Sequence, residues 1–249
     1  DPAPVGTGAY VLVIGLGTRN TVAAFGGPDQ APQTLERPQR VSAGATRPGQ
    51  LLPSVAFAPP EGEIDPDVAL AETDGWTLGE FARTRGAEVA GRQIVSAKSW
   101  LCHARVDRTA PILPWGAPDS SPRLSPVEVS ARLLERVRRS WEAARPGLKL
   151  ADQDVVVTVP ASFDETARGL TLRAAEVLGA EVRLVEEPQA ALLAALAKGQ
   201  TLADGAILVV DVGGGTSDFS IFRHEAGSFE RVAVGPHLLL GGDNMDLAI

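Results

Sequence analysis

Residues 207–222 read ILVVDVGGGTSDFSIF, and their reading decides the fold. Apolar and β-branched residues flank three consecutive glycines, the pattern of two strands joined by a tight turn. Gly213, Gly214 and Gly215 carry no β-carbon, so backbone N–H groups at the turn can converge on phosphate oxygens as a nest. Thr216 adds a hydroxyl donor. Asp211, at the end of a strand expected to be buried on both faces, is placed to hold a metal through its water shell. Asp218 either fixes the turn or joins the same polar pocket. The plainer alternative is an ordinary glycine-rich hairpin, but an aspartate directly before such a turn favours the phosphate reading.

Residues 11–25, VLVIGLGTRNTVAAF, repeat the plan of strand, glycine turn and strand. Gly17, Thr18, Arg19 and Asn20 occupy the turn, and Gly15, Gly17 and Thr18 are suited to a phosphate. Alone, this turn is equally consistent with a simple hairpin. Two facing hairpins of one type make a stronger case, because a polyphosphate pinched between them gains donors from both sides.

The 249 residues, 44% hydrophobic, suffice for one large or two modest domains with a sizeable core. A net charge of -8 and a pI of about 5.0, with no basic block among the 23 Lys and Arg, argue against nucleic acid or acidic membranes as partners. Cys102 is the only cysteine, which rules out an intramolecular disulfide and leaves no basis for a structural zinc site. No apolar run reaches the roughly 18 residues of a membrane span, and no signal-peptide pattern opens the chain, so a cytoplasmic location is expected. The chain starts without methionine and stops at MDLAI as an amphipathic segment begins, which reads as a truncated piece.

Residues 1–8 are expected to form a loose tail and 26–75 an irregular or short-stranded stretch, with LLPSVAFAP its best strand. From Trp76 to His103, apolar spacing that includes Ile94 predicts helices broken around Gly86 and Gly91. Ser125-Pro126 followed by Glu128 marks a helix start with Ser125 as cap, running to about Ala144. Thereafter DVVVTVP, DETARGLTLRAAEVLG, EVRLVEEP, QAALLAALAKG and AILVVDVGGG alternate strand and helix, the mark of an α/β core. The near-continuous apolar runs VVVTV and AILVVDV predict strands buried on both faces.

Three further positions bear on chemistry. Lys98, on a helix of small and apolar neighbours, is suited either to neutralising a transferring phosphate in a cleft or to snorkelling at the surface. Glu187 ends a strand before Pro188, where it either holds a metal-bound or attacking water or merely favours the positive start of a helix. Cys102 and His103 are adjacent, but no acid completes a nucleophile and base arrangement, so they read as packing and surface residues.

Taken in order, LGTRN, AKSWL, TVPASFDETAR, EEPQAA, VVDVGGGTSDFSI and LGGDNMD resemble the ATPase domain of the heat-shock protein 70 chaperones of the DnaK type, as a divergent member. The resemblance covers nearly the whole chain. It implies an α/β actin-like ATPase (ribonuclease H-like) fold with nucleotide between two lobes. Residues 9–204 would form a complete first lobe, with an inserted subdomain at about 42–123, and 205–249 the start of a truncated second lobe. It further implies ATP or ADP with Mg2+ as ligands and client polypeptides or co-chaperones as partners. By resemblance, Gly17, Thr18, Arg19, Asn20, Gly213, Gly214, Gly215 and Thr216 contact phosphates and Lys98 aids transfer to water. Glu187 would organise the magnesium and water shell, Asp211 would be the acid near the metal, and Pro160 and Arg168 would relay the nucleotide state.

The first loop departs from the pattern. Gly15 stands where that family has an acid, and Arg19 replaces a hydroxyl residue. One lost preorganised charge costs roughly 10²- to 10³-fold in rate, so hydrolysis is expected to suffer, with Arg19 facing phosphate as partial compensation. The truncation implies weak or no ATP binding by this piece, and the uncovered apolar strands imply self-association. The alternatives are a nucleotide-sensing pseudo-ATPase, or an actin-like sugar kinase or filament protein, over which VPASFDETAR and EEPQAA favour the chaperone branch.

Overall fold

The computed structural model describes residues 9–28, 30–42, 44–63, 75–236 and 238–248. The tail expected at 1–8 lies outside these residues, as does 64–74 of the irregular stretch. Strands β1 (Val11–Leu16) and β2 (Asn20–Gly26) form the first hairpin, in which Gly17 N donates to Asn20 O at 3.1 Å. A β-carbon on Gly17 would strike that carbonyl, so the turn requires glycine.

The short-stranded stretch follows as β3 (Gln33–Thr34), a hairpin of β4 (Arg37–Ser42) and β5 (Ala45–Gly49), then β6 (Leu52–Pro53), β7 (Ala56–Phe57) and β8 (Thr77–Leu78). Helix α1 (Glu80–Gly86) ends at the expected glycine. Ile94, expected on a helix, instead lies on β9 (Gln93–Ile94), paired with Ala56 of β7. Its side chain is buried by that pairing, which helical spacing imitates in so short a segment. The four-residue helix α2 (Ala97–Trp100) follows.

Helix α3 (Pro126–Ala144) starts as its sequence predicts. Glu128 N donates to Ser125 Oγ at 3.1 Å, and Ser125 N donates to Glu128 Oε2 at 2.6 Å, a reciprocal capping box. Beyond it come β10 (Asp154–Val159), α4 (Glu165–Ala175), β11 (Val182–Glu186) and α5 (Glu187–Ala197). The chain continues through β12 (Gly205–Val212), β13 (Ser217–Glu225), β14 (Ser228–Val234) and α6 (Gly242–Leu247).

Among the described residues, the largest sheet runs β11-β10-β1-β2-β3, with β6 also paired to β2. β10 is parallel to β1 and β11, and α4 makes the crossover that parallel strands require. Leu12, Ile14, Val155 and Val157 on one face pack with Leu134, Val137 and Trp141 of α3. Trp141 is wholly buried, sits edge-on to Tyr10 and Phe25 at 5.5 Å, and donates its indole N–H to Leu148 O at 3.1 Å. Arg37, also wholly buried, donates from Nη2 to Thr21 O and Gln50 O and so ties β4 to β2 and to the approach to β6. Burial, aided by the nearby Arg136 charge, lowers its pKa to about 10.

VVVTV is buried on both faces as expected, but AILVVDV is not. Leu208, Val210 and Val212 are 59%, 51% and 52% exposed. β12, β13 and β14 form a separate antiparallel sheet with one face turned inward, and among the described residues nothing covers the other. An apolar run states what a strand would bury, not what lies over it. No helix among the described residues is long and apolar enough to cross a membrane.

Replacing Ser125 with alanine removes the cap at the buried start of α3. The expected loss is about 1 kcal/mol of unfolding free energy, read as a lower urea midpoint with an unchanged slope.

Candidate functional site: two glycine turns and a charged floor

The β12–β13 turn is shaped by its neighbours. Gly213 N donates to Thr216 O at 2.8 Å, closing the turn. The carbonyls of Gly213 and Gly214 accept from Gly242 N at 2.9 Å and Asp243 N at 2.7 Å at the start of α6. In a trans peptide unit the N–H points opposite to the C=O. Tethering those carbonyls therefore turns the N–H groups of Gly214 and Gly215 away from α6. The N–H groups of Gly214, Gly215 and Thr216 have no hydrogen-bond partner among the described residues.

The two turns touch. A β-carbon on Gly215 would lie 2.7 Å from Ser99 Oγ and 2.8 Å from Thr18 Cγ2, and one on Gly214 would strike the stem of Arg19. The first turn is braced from behind by Ser54, whose hydroxyl donates to Gly17 O at 2.7 Å and whose N–H donates to Arg19 O at 2.8 Å. Arg19 itself turns to α6, pairing through Nε with Asp243 and through Nη2 with Asp246.

A charged floor lies beside the turns. Lys98 Nζ pairs with Glu187 Oε1 at 2.6 Å, with side chains only 10% and 22% exposed, so Lys98 is no snorkelling surface residue. The same ammonium stands 5.8 Å from the ring centroid of Phe163. Glu187 is the first residue of α5 rather than the last of a strand, since β11 ends at Glu186. Asp211 and Asp218 are directly opposed in the β12–β13 ladder and so share a face. Asp218 also accepts from the Ser162 hydroxyl. Burial first, then the Glu187 charge, hold the Asp211 carboxyl above the usual aspartate range; Asp218 adds to this and Lys98 opposes it. Among the described residues, no three His, Cys, Asp or Glu side chains group to hold a metal ion directly.

The structure brings Thr18, Lys98, Glu187, Asp211 and residues 213–216 into one neighbourhood. Gly15 lies on β1 opposite Thr158 of β10, with no acid in register. Pro160 and Arg168 flank Phe163: Pro160 O accepts from Phe163 N at 3.2 Å, and Arg168 Nε donates to Phe163 O at 3.1 Å. Arg168 also pairs with Glu186 at 2.7 Å, and Glu186 takes a second guanidinium from Arg231 of β14. His103 stacks on Trp100 with centroids 5.3 Å apart, and Cys102 Sγ donates to the backbone carbonyl of Lys98 at 4.0 Å, one turn back along the chain. Sequence reasoning missed Ser54, Ser96, Ser162, Asp243 and Asp246, whose only signal was to sit inside or beside recognised motifs.

Known proteins resemble the chain in the same sense. The family model described as Hsp70 protein matches residues 77–249. The chaperone protein HscA of Salmonella arizonae is 38% identical over 192 residues, covering 73% of this chain and 31% of the relative. The HscA homolog of Pseudoalteromonas atlantica is 35% identical over 247 residues, covering 94% of this chain and 35% of the relative. HscA of Escherichia coli is 39% identical over 192 residues, with 73% and 31% covered. These relatives bear the name HscA rather than DnaK, and the chain spans about a third of their length.

Gly215→Ala forces a methyl group between the two turns and is expected to cost about 1–3 kcal/mol, measured by urea unfolding; an unchanged midpoint would mean that the turns separate freely. Asp211 has a second measurable consequence. Because its folded pKa is raised, the native state keeps a proton that the unfolded chain has lost, so its contribution to stability falls as pH rises from the ordinary aspartate value through the raised one. Asp211→Asn is therefore expected to be more stable than wild type at neutral pH, with the advantage vanishing in acid, as urea unfolding at about pH 4 and about pH 8 would show.

Proposed function

The chain belongs to the Hsp70 family, and we propose that it is the nucleotide-binding part of an Hsp70-like chaperone, holding ATP or ADP with Mg2+ between its two glycine turns. Family membership carries an actin-like ATPase fold, with which the mixed α/β sheets agree. In that fold β1, β2, β10 and β11 belong to the first lobe, and β12, β13 and β14 to the second. The observation that carries the reading is the set of unpartnered N–H groups at Gly214, Gly215 and Thr216 beside Lys98, Glu187 and Asp211. Free backbone donors, two of them on glycines without a β-carbon, suit phosphate oxygens, and crowded carboxylates suit a hydrated cation.

Bound Mg-ATP supplies the transferable phosphoryl group and the cation's charge. The chain's own residues position and stabilise. Lys98, held by Glu187 and screened from water, offers positive charge where negative charge develops. Glu187 would accept a hydrogen bond from a water and so orient it, and Asp211 would hold the cation through water. Thr18 and Thr216 add hydroxyl donors, and Gly17 and Asn20 shape the first turn. Pro160 and Arg168, joined through Phe163 to the Lys98 ammonium, form the relay toward a client-binding part. Clients, co-chaperones and a cytoplasmic place of work belong to this proposal.

A specific observation favours a second reading, a nucleotide sensor with little turnover: the β1 position facing Thr158 is Gly15 and offers no carboxylate. A β-carbon there would stand 3.1 Å from Val22 Cγ1 and 3.7 Å from Thr158 Oγ1, so Val22 must yield by a few tenths of an ångström to admit a side chain. Gly15→Asp in the full-length protein discriminates the readings. Magnesium-dependent ATP turnover rising about 10²-fold marks a sensor that has lost its acid. An unchanged rate that Lys98→Ala abolishes marks a working ATPase that does without it.

A further inference from the structure

Arg19 stands on the first turn, yet its guanidinium is engaged by carboxylates of α6. Nε donates to Asp243 at 2.5 Å and Nη2 to Asp246. Asp243 does more than balance charge. Its second oxygen accepts from Ser96 Oγ at 3.1 Å, and its backbone N–H donates to Gly214 O at 2.7 Å. Ser96 has φ 55, a left-handed conformation uncommon for a residue with a side chain, and it leads directly into the helix that carries Lys98. One aspartate thus joins the first turn, the second turn and the entry to the lysine helix.

These groups are open to solutes. The side chains of Arg19, Asp243 and Asp246 are 48%, 37% and 64% exposed, and Thr18, Arg19, Asn20, Ser96 and Asp243 help line one cavity of about 360 Å³. Ion pairs this exposed are weak and readily exchanged. Arg83 also lines this cavity, so the two carboxylates oppose an entering polyphosphate by already occupying the Arg19 guanidinium, for which it must compete.

We propose that Arg19 is a shared cation, held by Asp243 and Asp246 while the turns are free of phosphate and handed over to a phosphate chain that enters between them, so that Asp243 sets the affinity of the site. The inference rests on the two-turn phosphate reading and adds to it a competitor built into the chain. Phosphate binding then requires the Arg19–Asp243 pair to open, at the carboxylate whose other oxygen accepts from Ser96 ahead of Lys98.

The test is a calorimetric titration of inorganic tripolyphosphate, at low salt and without magnesium, into wild type, Asp243→Asn, Arg19→Thr and the double variant. Asp243→Asn keeps the backbone bond to Gly214 O and replaces a partly exposed side chain; Asp246→Asn serves as a second release variant if the first melts early. The expected result is binding at least about threefold tighter in Asp243→Asn, a gain absent when Arg19 is also replaced. Wild-type binding with no gain in either asparagine variant, or a gain that persists without Arg19, overturns the shared-cation inference alone. Tripolyphosphate bound by none of the forms overturns the two-turn reading itself, and the inference with it.

Discussion

The pairing of Lys98 with Glu187 is the interaction on which the site depends. One partner comes from a four-residue helix after a left-handed serine, the other from the first residue of α5. Neither is much exposed, so each would be costly without the other: removing one partner of a buried pair typically costs about 3–5 kcal/mol. The pair also supplies the field in which Asp211 sits, Glu187 raising and Lys98 lowering its carboxyl. Asp218, opposite Asp211 in the ladder, adds a like charge that directly opposed strand residues normally avoid. Glu187 and Asp218 thus both crowd Asp211 with like charge, and Lys98 offsets part of it.

The Glu186-Glu187 doublet shows how a change of secondary structure divides two identical side chains between two tasks. Glu186 closes β11 and reaches Arg168 and Arg231, so it binds the α4 segment to the β12–β14 sheet. Glu187 opens α5 and turns to Lys98. Phe163 lies between the two networks, beneath Lys98 and hydrogen-bonded through its backbone to Pro160 and Arg168. Charge at the floor and packing around α4 are therefore physically contiguous, although contiguity alone is not coupling.

Local features were legible in the chain because their causes are local. The α3 start was readable from Ser125, Pro126 and Glu128, since a capping box needs only residues three apart. The first hairpin was readable from Gly17, which must pass Asn20 O without a β-carbon. VVVTV was readable because β10 lies between β1 and β11, with helix packing as well. Ile94 was misread because two paired residues are too few to show a period of two. AILVVDV was misread because burial belongs to the covering layer and not to the strand.

The sequence by itself determined the glycine turns, the order of the motifs, the resemblance to Hsp70 and the residue types available for chemistry, because backbone freedom, capping and composition act over a few neighbouring positions. Only the tertiary structure decided what each charged group faces. Arg19, expected to face phosphate, meets Asp243 and Asp246 from the far end of the chain. Lys98 meets Glu187 across 89 positions, and Arg37 is buried against two carbonyls with no signal in its neighbours. Electrostatic partners are chosen by proximity in space and by exclusion of water, and neither quantity is written in local sequence.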